Sequence, residues 1–354
     1  LRILPCARYA SLGDAMEAYV EQVKPKGKVT SAAIAVASPI TGDKVKMTNR
    51  NWSFSTNALQ RRLGLQELQI VNDFLAIALA VPGLKDRDRL KVGPGQPAKD
   101  APIAVIGPGT GLGVSLLVPD EDYWLPVATE GGHVTLPSTG QEDDAILDLL
   151  RVRFGHVSAE RVLSGPGLAN LYDVISARAG KRAAGLSPAE ITDRALAGRD
   201  KIATETLQRF CGFLGTVAGD LALTSGALGG IYIAGGIVPR FGKTLARSPF
   251  RPRFEAKGRF KGYLRKVPTY VVTAEQPALA GQVQSALERA QIVDLVGINK
   301  SEVESAFFAI GKQVVQGLQG RTDAEVDLVR HASLLPKGLG PVGKLFGNVA
   351  RDQL

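Results

Sequence analysis

Cysteine is nearly absent from this chain of 354 residues: there are two, Cys6 and Cys211, far apart and each in apolar company. Two such thiols exclude a disulfide framework and a multi-cysteine zinc site, and both are expected to be buried and inert. Also lacking is any run of eighteen or more uncharged apolar residues. The most apolar helical region, Cys211 to Leu223, is interrupted by Asp220 and preceded by Arg209, so no membrane partner is expected. The opening residues, Leu1 to Tyr9, have no charged head, long apolar run or small-residue cleavage site, which makes the cytoplasm the expected location. Leu1 is not an initiator methionine, and the chain is expected to begin downstream of its gene's start. Internal repeats and low-complexity tracts are absent as well.

What is present is enough apolar material, 45% of the residues, to fill two α/β lobes. Lys and Arg outnumber Asp and Glu by 43 to 34, a formal charge of +9. The cations are scattered, and the densest patch, Arg247 to Lys266, carries no nucleic-acid motif. The charge could suit nucleic acid or an anionic substrate such as a nucleotide, but its scatter favours the bland reading of a solvated surface, and nucleic acid is not expected as a partner.

Leu12, Met16, Tyr19, Val20 and Val23 recur at helical spacing, and Ala32 to Ser38 reads as a short buried strand. A second strand, Leu68 to Asn72, leads into a helical Phe74 to Ala80, which sets Asp73 at a strand's C-terminal end, where open α/β sheets place their ligand chemistry. The Pro-, Gly- and charge-rich stretch Pro82 to Pro102 reads as a boundary between lobes. Beyond it, Pro102 to Ile106 and Val114 to Val118 read as strands around the glycine turn Gly107 to Gly113. Ser187-Pro188-Ala189-Glu190 is a capping box for a helix through Leu196, and a longer helix spans about Lys201 to Ser225. Gly212, Gly215 and Gly219 within it predict close packing against a neighbouring element. Gly229 to Gly236 reads as a buried strand bracketed by glycine pairs. From about Gln291 the pattern changes to a helical stripe of Val303, Phe307, Ile310, Val314 and Leu318, followed by a Pro/Gly/Lys connector.

Three constellations could carry chemistry. The glycine turn offers backbone N–H groups with no side chains in the way, a cradle for phosphate oxygens, although such turns also simply close hairpins. A Lys-Ser/Thr pair and a helix should follow the glycines of a P-loop, and a helix those of a dinucleotide site; here a strand follows, which points to the actin-like, sugar-kinase type of ATP site. Asp73 either caps the helix after it or accepts the proton of an attacking hydroxyl. Glu130, His133 and Glu160 form a set of carboxylates and an imidazole suited to vicinal sugar hydroxyls, while His133 alone reads as structural. His156 and His331 lack such company. Asn49 and Trp52 could line the same pocket, or Trp52 could be core.

Together these segments resemble the proteobacterial-type glucokinase family over roughly Ala7 to Ala290. The stretches that carry the resemblance are Ser38 to Asp43, Asn49 with Trp52, Asn72-Asp73-Phe74, Gly107 to Gly113, Glu130-Gly131-Gly132-His133, His156 to Gly167 and Ile233 to Phe241. It implies a two-lobed actin-like ATPase (ribonuclease H-like) α/β fold around an interdomain cleft. The small lobe would be 1–83 plus about 275–290 and the large lobe 84–274, with a helical tail at 291–354. The implied activity is transfer of the γ-phosphoryl group of ATP, with Mg²⁺, to the 6-hydroxyl of glucose. Asn49, Asn72, Asp73, Glu130, His133 and Glu160 would hold glucose, with Asp73 as the base. Gly107, Gly109, Thr110, Gly111, Gly235 and Gly236 would hold ATP, and no residue of this chain is assigned to a metal. Family members begin with a strand and an Asp-x-Gly-Gly-Thr-Asn turn, a motif this sequence does not contain; truncation is the simplest account, and a glucose-binding sensor or relic is the alternative. A fused regulator is a weaker reading, since no helix-turn-helix is legible. The sequence leaves a homodimer open.

Overall fold

The computed structural model describes residues 4–274, apart from 26, 39, 48–50 and 122, together with residue 277. The expectations for Asn49, for the 275–290 part of the small lobe, for the 291–354 tail and for His331 lie outside the described residues.

The chain opens with helix α1 (Leu12–Val23), capped by the Ser11 hydroxyl, which accepts the Asp14 N–H at 3.2 Å. Strand β1 (Ser31–Val36) follows, then a small hairpin of β2 (Lys44–Lys46) and β3 (Ser53–Ser55) and helix α2 (Thr56–Arg62). Arg62 on α2 pairs with Asp14 and Glu17 on α1. Strand β4 (Glu67–Asn72) lies parallel to β1, in register from Ser31 opposite Glu67 to Val36 opposite Asn72, and runs straight into α3 (Asp73–Ala80). The strand expected at Ala32 to Ser38 thus forms, but it is not buried as expected. Five of its six residues are half-covered, because among the described residues its sheet has only two strands. Trp52 is buried, as the core alternative has it.

The larger sheet has six strands in the order β5-β10-β9-β6-β7-β8. These are β5 (Arg89–Val92), β6 (Ile103–Pro108), β7 (Leu112–Asp120), β8 (Tyr123–Thr129), β9 (Gly230–Ile233) and β10 (Thr269–Val272). Strands β6, β9 and β10 run parallel, while β5, β7 and β8 pair antiparallel with their neighbours. The stretch Pro82 to Pro102 is therefore more than a connector, since it contributes β5.

Alternation along these strands builds two cores. Ala104 and Ile106 of β6 and Ile231 and Ile233 of β9 face one way, onto helices α4 (Gln141–Phe154), α5 (Gly165–Arg178), α6 (Pro188–Leu196) and α7 (Lys201–Ser225). Ile103, Val105 and Tyr232 face the other way, onto Ala78 and Leu79 of α3. Side-chain alternation thereby fixes which face of the sheet receives the helix that starts with Asp73.

Helix α7 confirms the meaning of its glycines. Gly212, Gly215 and Gly219 line one face, and a methyl at any of them would press on Arg253, the Phe250 carbonyl or the Phe254 carbonyl of the next helical segment. The basic patch around these residues is largely spent inside the fold. Arg253 makes a two-pronged ion pair with buried Asp143, Arg251 pairs with Glu255 at 2.7 Å and donates to the carbonyls of Leu264 and Val267, and Lys257 pairs with Asp220. Cys211 is buried, and burial pushes its thiol up to about 12, so it is inert as expected. Cys6 is not: it lies in an exposed single turn, Cys6–Arg8, whose own apolar neighbours do not cover it. Among the described residues no helix is long and apolar enough to cross a membrane.

Candidate active site

Strand β4 ends at Asn72, whose side-chain oxygen caps α3 by accepting the N–H groups of Phe74 at 2.9 Å and Leu75 at 3.1 Å. The Asn72 amide donates in turn to the Ser38 carbonyl at 3.4 Å, tying the end of β4 to the segment after β1. Asn72 carries the cap, and Asp73 shares one of its N–H groups. One of its carboxylate oxygens accepts the Phe74 N–H at 2.9 Å, and burial raises its pKa above the usual carboxylate range, a shift the backbone hydrogen bonds only partly offset.

Phe74 sets where this carboxylate sits. Gly107 of β6 and Gly113 of β7 are directly paired, and the Phe74 ring lies over both, so closely that a methyl at either would overlap it. These two glycines accordingly serve as the seat of an aromatic ring, which clamps α3 and Asp73 to the hairpin. The turn proper is Gly109-Thr110-Gly111. Within it the Gly109 N–H bonds the Gly111 carbonyl at 2.8 Å, and the Gly109 carbonyl accepts the Gly165 N–H from the start of α5 at 2.8 Å. Among the described residues the N–H groups of Thr110 and Gly111 have no partner. The space over Gly109 is open, as is that over Gly236. Gly235, at φ +85°, abuts the Pro108 carbonyl, which brings the end of β9 against the same turn.

Glu160 links the turn to the expected sugar ligands. Its Oε2 accepts the Leu112 N–H at 2.8 Å and lies directly beside Gly111, where a side chain would collide with it. Its own carbonyl accepts the Ser164 hydroxyl, and Ser164 caps α5. Glu130 precedes and His133 ends a single helical turn, Gly131–His133, pressed onto the start of β7; a methyl on Gly132 would strike the Leu112 carbonyl. The His133 ring stands 3.8 Å from the Glu130 carboxylate, and both side chains are exposed. The bridge between Thr135 and Ser158 and the bond from the Ala159 N–H to the Val134 carbonyl tie this turn to the one that carries Glu160. Glu160 and the turn that carries Glu130 and His133 thus meet the first residues of β7 beside the glycine turn, and the Phe74 ring brings the start of α3, with Asp73, to the same hairpin. His156 stands apart, with Thr135 at 3.0 Å.

The sequence reading missed Phe74, Leu112 and the clasp between Gly109 and Gly165. Only the first left a signal, two glycines six residues apart around a tight turn with an aromatic residue next to a candidate base. Among the described residues no group of three His, Cys, Asp or Glu side chains could hold a metal on its own.

The family model described as Glucokinase matches residues 1–289. A glucokinase of Nitrobacter hamburgensis is 51% identical over 288 residues, covering 81% of this chain and 90% of that protein. A "Bifunctional protein glk" of Burkholderia thailandensis is 51% identical over 282 residues; the match covers 79% of this chain but 44% of the longer protein. Among solved structures, a glucokinase from an Antarctic psychrotroph superposes with a TM-score of 0.74 at 38% identity, covering 80% of this chain and 87% of that one. The actin-like ATPase fold expected from the sequence is the fold of these kinases. By family model, identity and structure alike, this chain belongs to the glucokinase family.

Proposed function

We propose that the chain phosphorylates glucose at its 6-hydroxyl with ATP, and that Asp73 is the base. The observation that carries this reading is the Phe74 clamp, which seats a partly buried carboxylate against a hairpin whose turn keeps two N–H groups unsatisfied beside open space.

Each group then has a task. The Thr110 and Gly111 N–H groups, with Gly235 and Gly236 alongside, fit a nucleotide's phosphate chain, because unpaired donors next to open space favour a ligand rich in acceptor oxygens. ATP supplies the phosphoryl group, and Mg²⁺ would arrive on its phosphates, consistent with the preference of that ion for phosphate oxygens and water over all-protein cages. Glu130, His133 and the second oxygen of Glu160 suit the sugar hydroxyls. Asp73 has one oxygen engaged by the Phe74 N–H, leaving the other to accept the proton of the 6-hydroxyl as it attacks. The raised pKa, caused by burial, makes the carboxylate a better proton acceptor than an exposed aspartate. This reading takes the reaction to be cytoplasmic.

The test is a coupled assay of glucose 6-phosphate formation with Mg-ATP. It should run on the full chain and on a form extended by the strand and Asp-x-Gly-Gly-Thr-Asn turn that the resemblance assigns to the family. Turnover that disappears in Asp73→Asn while glucose still binds is the expected result. Glucose binding without turnover in either form would replace the kinase with a sugar-binding protein, and an Asp73→Asn variant with most of its rate would remove Asp73 from the role of base.

A further inference from the structure

A hollow bordered by cations lies at the far ends of helices α5 and α6. Both helices stop in the same way. Gly180 and Gly198 adopt φ of +68° and +65°, and the next residue's N–H reaches back to the last turn, from Lys181 to the Ser176 carbonyl at 2.9 Å and from Arg199 to the Arg194 carbonyl at 3.1 Å. This satisfies helix-end carbonyls and delivers a cation immediately after each glycine. Lys181 and Arg182 after α5, Arg194 and Arg199 around the end of α6, and Lys201 at the start of α7 border one hollow of about 630 Å³.

Five cations face one carboxylate there, and that carboxylate is already engaged. Asp200 caps α7, accepting the Ile202 and Ala203 N–H groups at 2.9 and 3.1 Å, and it takes the Tyr172 hydroxyl at 3.3 Å with Arg194 at 3.9 Å. Among the described residues the side chains of Lys181, Arg182, Arg199 and Lys201 have no ionic or hydrogen-bonding partner. Helix-end electrostatics account for Arg194, a cation in the last turn of α6, but not for Lys201. That lysine opens a 25-residue helix, at the positive end of its dipole, with no acidic residue in the first turn. Asp200 at the N-cap meets the helix end, but the four unpartnered cations remain for a bound anion to neutralise.

We propose that this hollow binds a small phosphate-bearing anion carrying two or more negative charges. Guanidinium forks match phosphate oxygens in pairs, and the volume lies within the range of roughly 300–1,000 Å³ seen for small-molecule sites. The hollow is separate from the phosphate turn. Tyr172 lies seven residues along α5 from Gly165, about 10 Å at 1.5 Å per residue. Helix α6 joins the two places, since its Pro188 sits against Gly165 at one end and Arg194 borders the hollow at the other. An anion in the hollow is thus placed to act on the active site through α6.

The experiment is calorimetric titration of the full chain with inorganic tripolyphosphate at low salt, with and without saturating glucose and a non-hydrolysable ATP analogue. The comparison proteins are Lys181→Ala/Arg182→Ala and Arg199→Ala, all exposed positions away from the proposed chemistry. A binding event that persists with the analogue present, weakens at least tenfold in each variant and fades with added salt is the expected result, with kcat and both KM values unchanged when no added anion is present. Glucose 6-phosphate and ADP, titrated in parallel, distinguish a sugar phosphate from a nucleotide as the source of the phosphate. Absence of binding, or equal affinity in wild type and variants, overturns the site. Tighter binding of a single-stranded oligonucleotide, lost in the same variants, overturns the small anion in favour of a nucleic-acid surface.

Discussion

Asp73 occupies a position in which its charge is costly, and the sign of that cost can be measured. Its pKa is raised in the fold, first by burial, so the native state holds the proton more tightly than the unfolded chain. The protonated form's advantage is present below about pH 4, the ordinary carboxylate range, and is lost as pH rises through the higher native value. Asp73→Asn should therefore be more stable than wild type to urea at pH 7, with the gap closing at pH 4, while kcat falls about 10²–10⁴-fold, the range for loss of a positioned base. A variant less stable at pH 7 would mean that the carboxylate is supported by groups other than those described. Glu160 yields a second expectation, because its two oxygens face different tasks. Glu160→Gln turns a charge-assisted bond to the Leu112 N–H into a neutral one, a loss of about 1 kcal/mol. The KM for ATP should rise along with that for glucose, and a rise in the glucose KM alone would show that Glu160 does not support the turn.

At the scale of elements, the meeting of α3 with the β6–β7 hairpin decides whether the proposed base and the proposed phosphate turn are in register. The Phe74 ring on Gly107 and Gly113 is the contact that fixes it. Phe74→Ala should lower kcat at least tenfold, because misplacing a catalytic group by about 1 Å can cost 10²-fold, while the dissociation constant for glucose changes little. A purely structural role would lower stability and leave kcat per folded molecule intact, so rates should be normalised to folded protein measured by circular dichroism. The same contact marks the limit of what the sequence discloses. The strands on either side of the turn were legible from apolar runs bounded by glycines, and the tight face of α7 from Gly212, Gly215 and Gly219. The seat of Phe74 was not, since it joins residues more than thirty positions apart and depends on which sheet face α3 packs against. Glycines that read as a phosphate cradle prove to divide their work, with Gly107 and Gly113 admitting a ring and Gly109 to Gly111 forming the turn.

For the whole molecule, charge misleads until it is mapped. The excess of cations recorded by composition is spent partly inside, where Arg251 and Arg253 lock the helices behind the larger sheet, and partly at the hollow between α5, α6 and α7, whose lysines and arginines look scattered along the chain. Burial of β1 was over-read for a similar reason, because apolar composition states what a strand can bury and not what lies next to it. The proposed sugar ligands come from both sheets' neighbourhoods, Asp73 from the end of β4 and Glu130, His133 and Glu160 from around β7, so glucose should tie these parts together and stabilise the fold as a unit. Glucose at 100 times its dissociation constant should add about 2.7 kcal/mol, and at about 2–4 °C per kcal/mol for a protein of this size Tm should rise by roughly 5–10 °C. The shift should survive in Asp73→Asn at equal saturation, since that change spares binding, and should shrink in Glu160→Gln at the wild-type glucose concentration. Differential scanning calorimetry across these three proteins separates binding from chemistry without an activity assay. A shift abolished by Asp73→Asn alone would move Asp73 from proton acceptor to principal anchor of the sugar, and the carboxylates around β7 would then have to be assigned some other ligand.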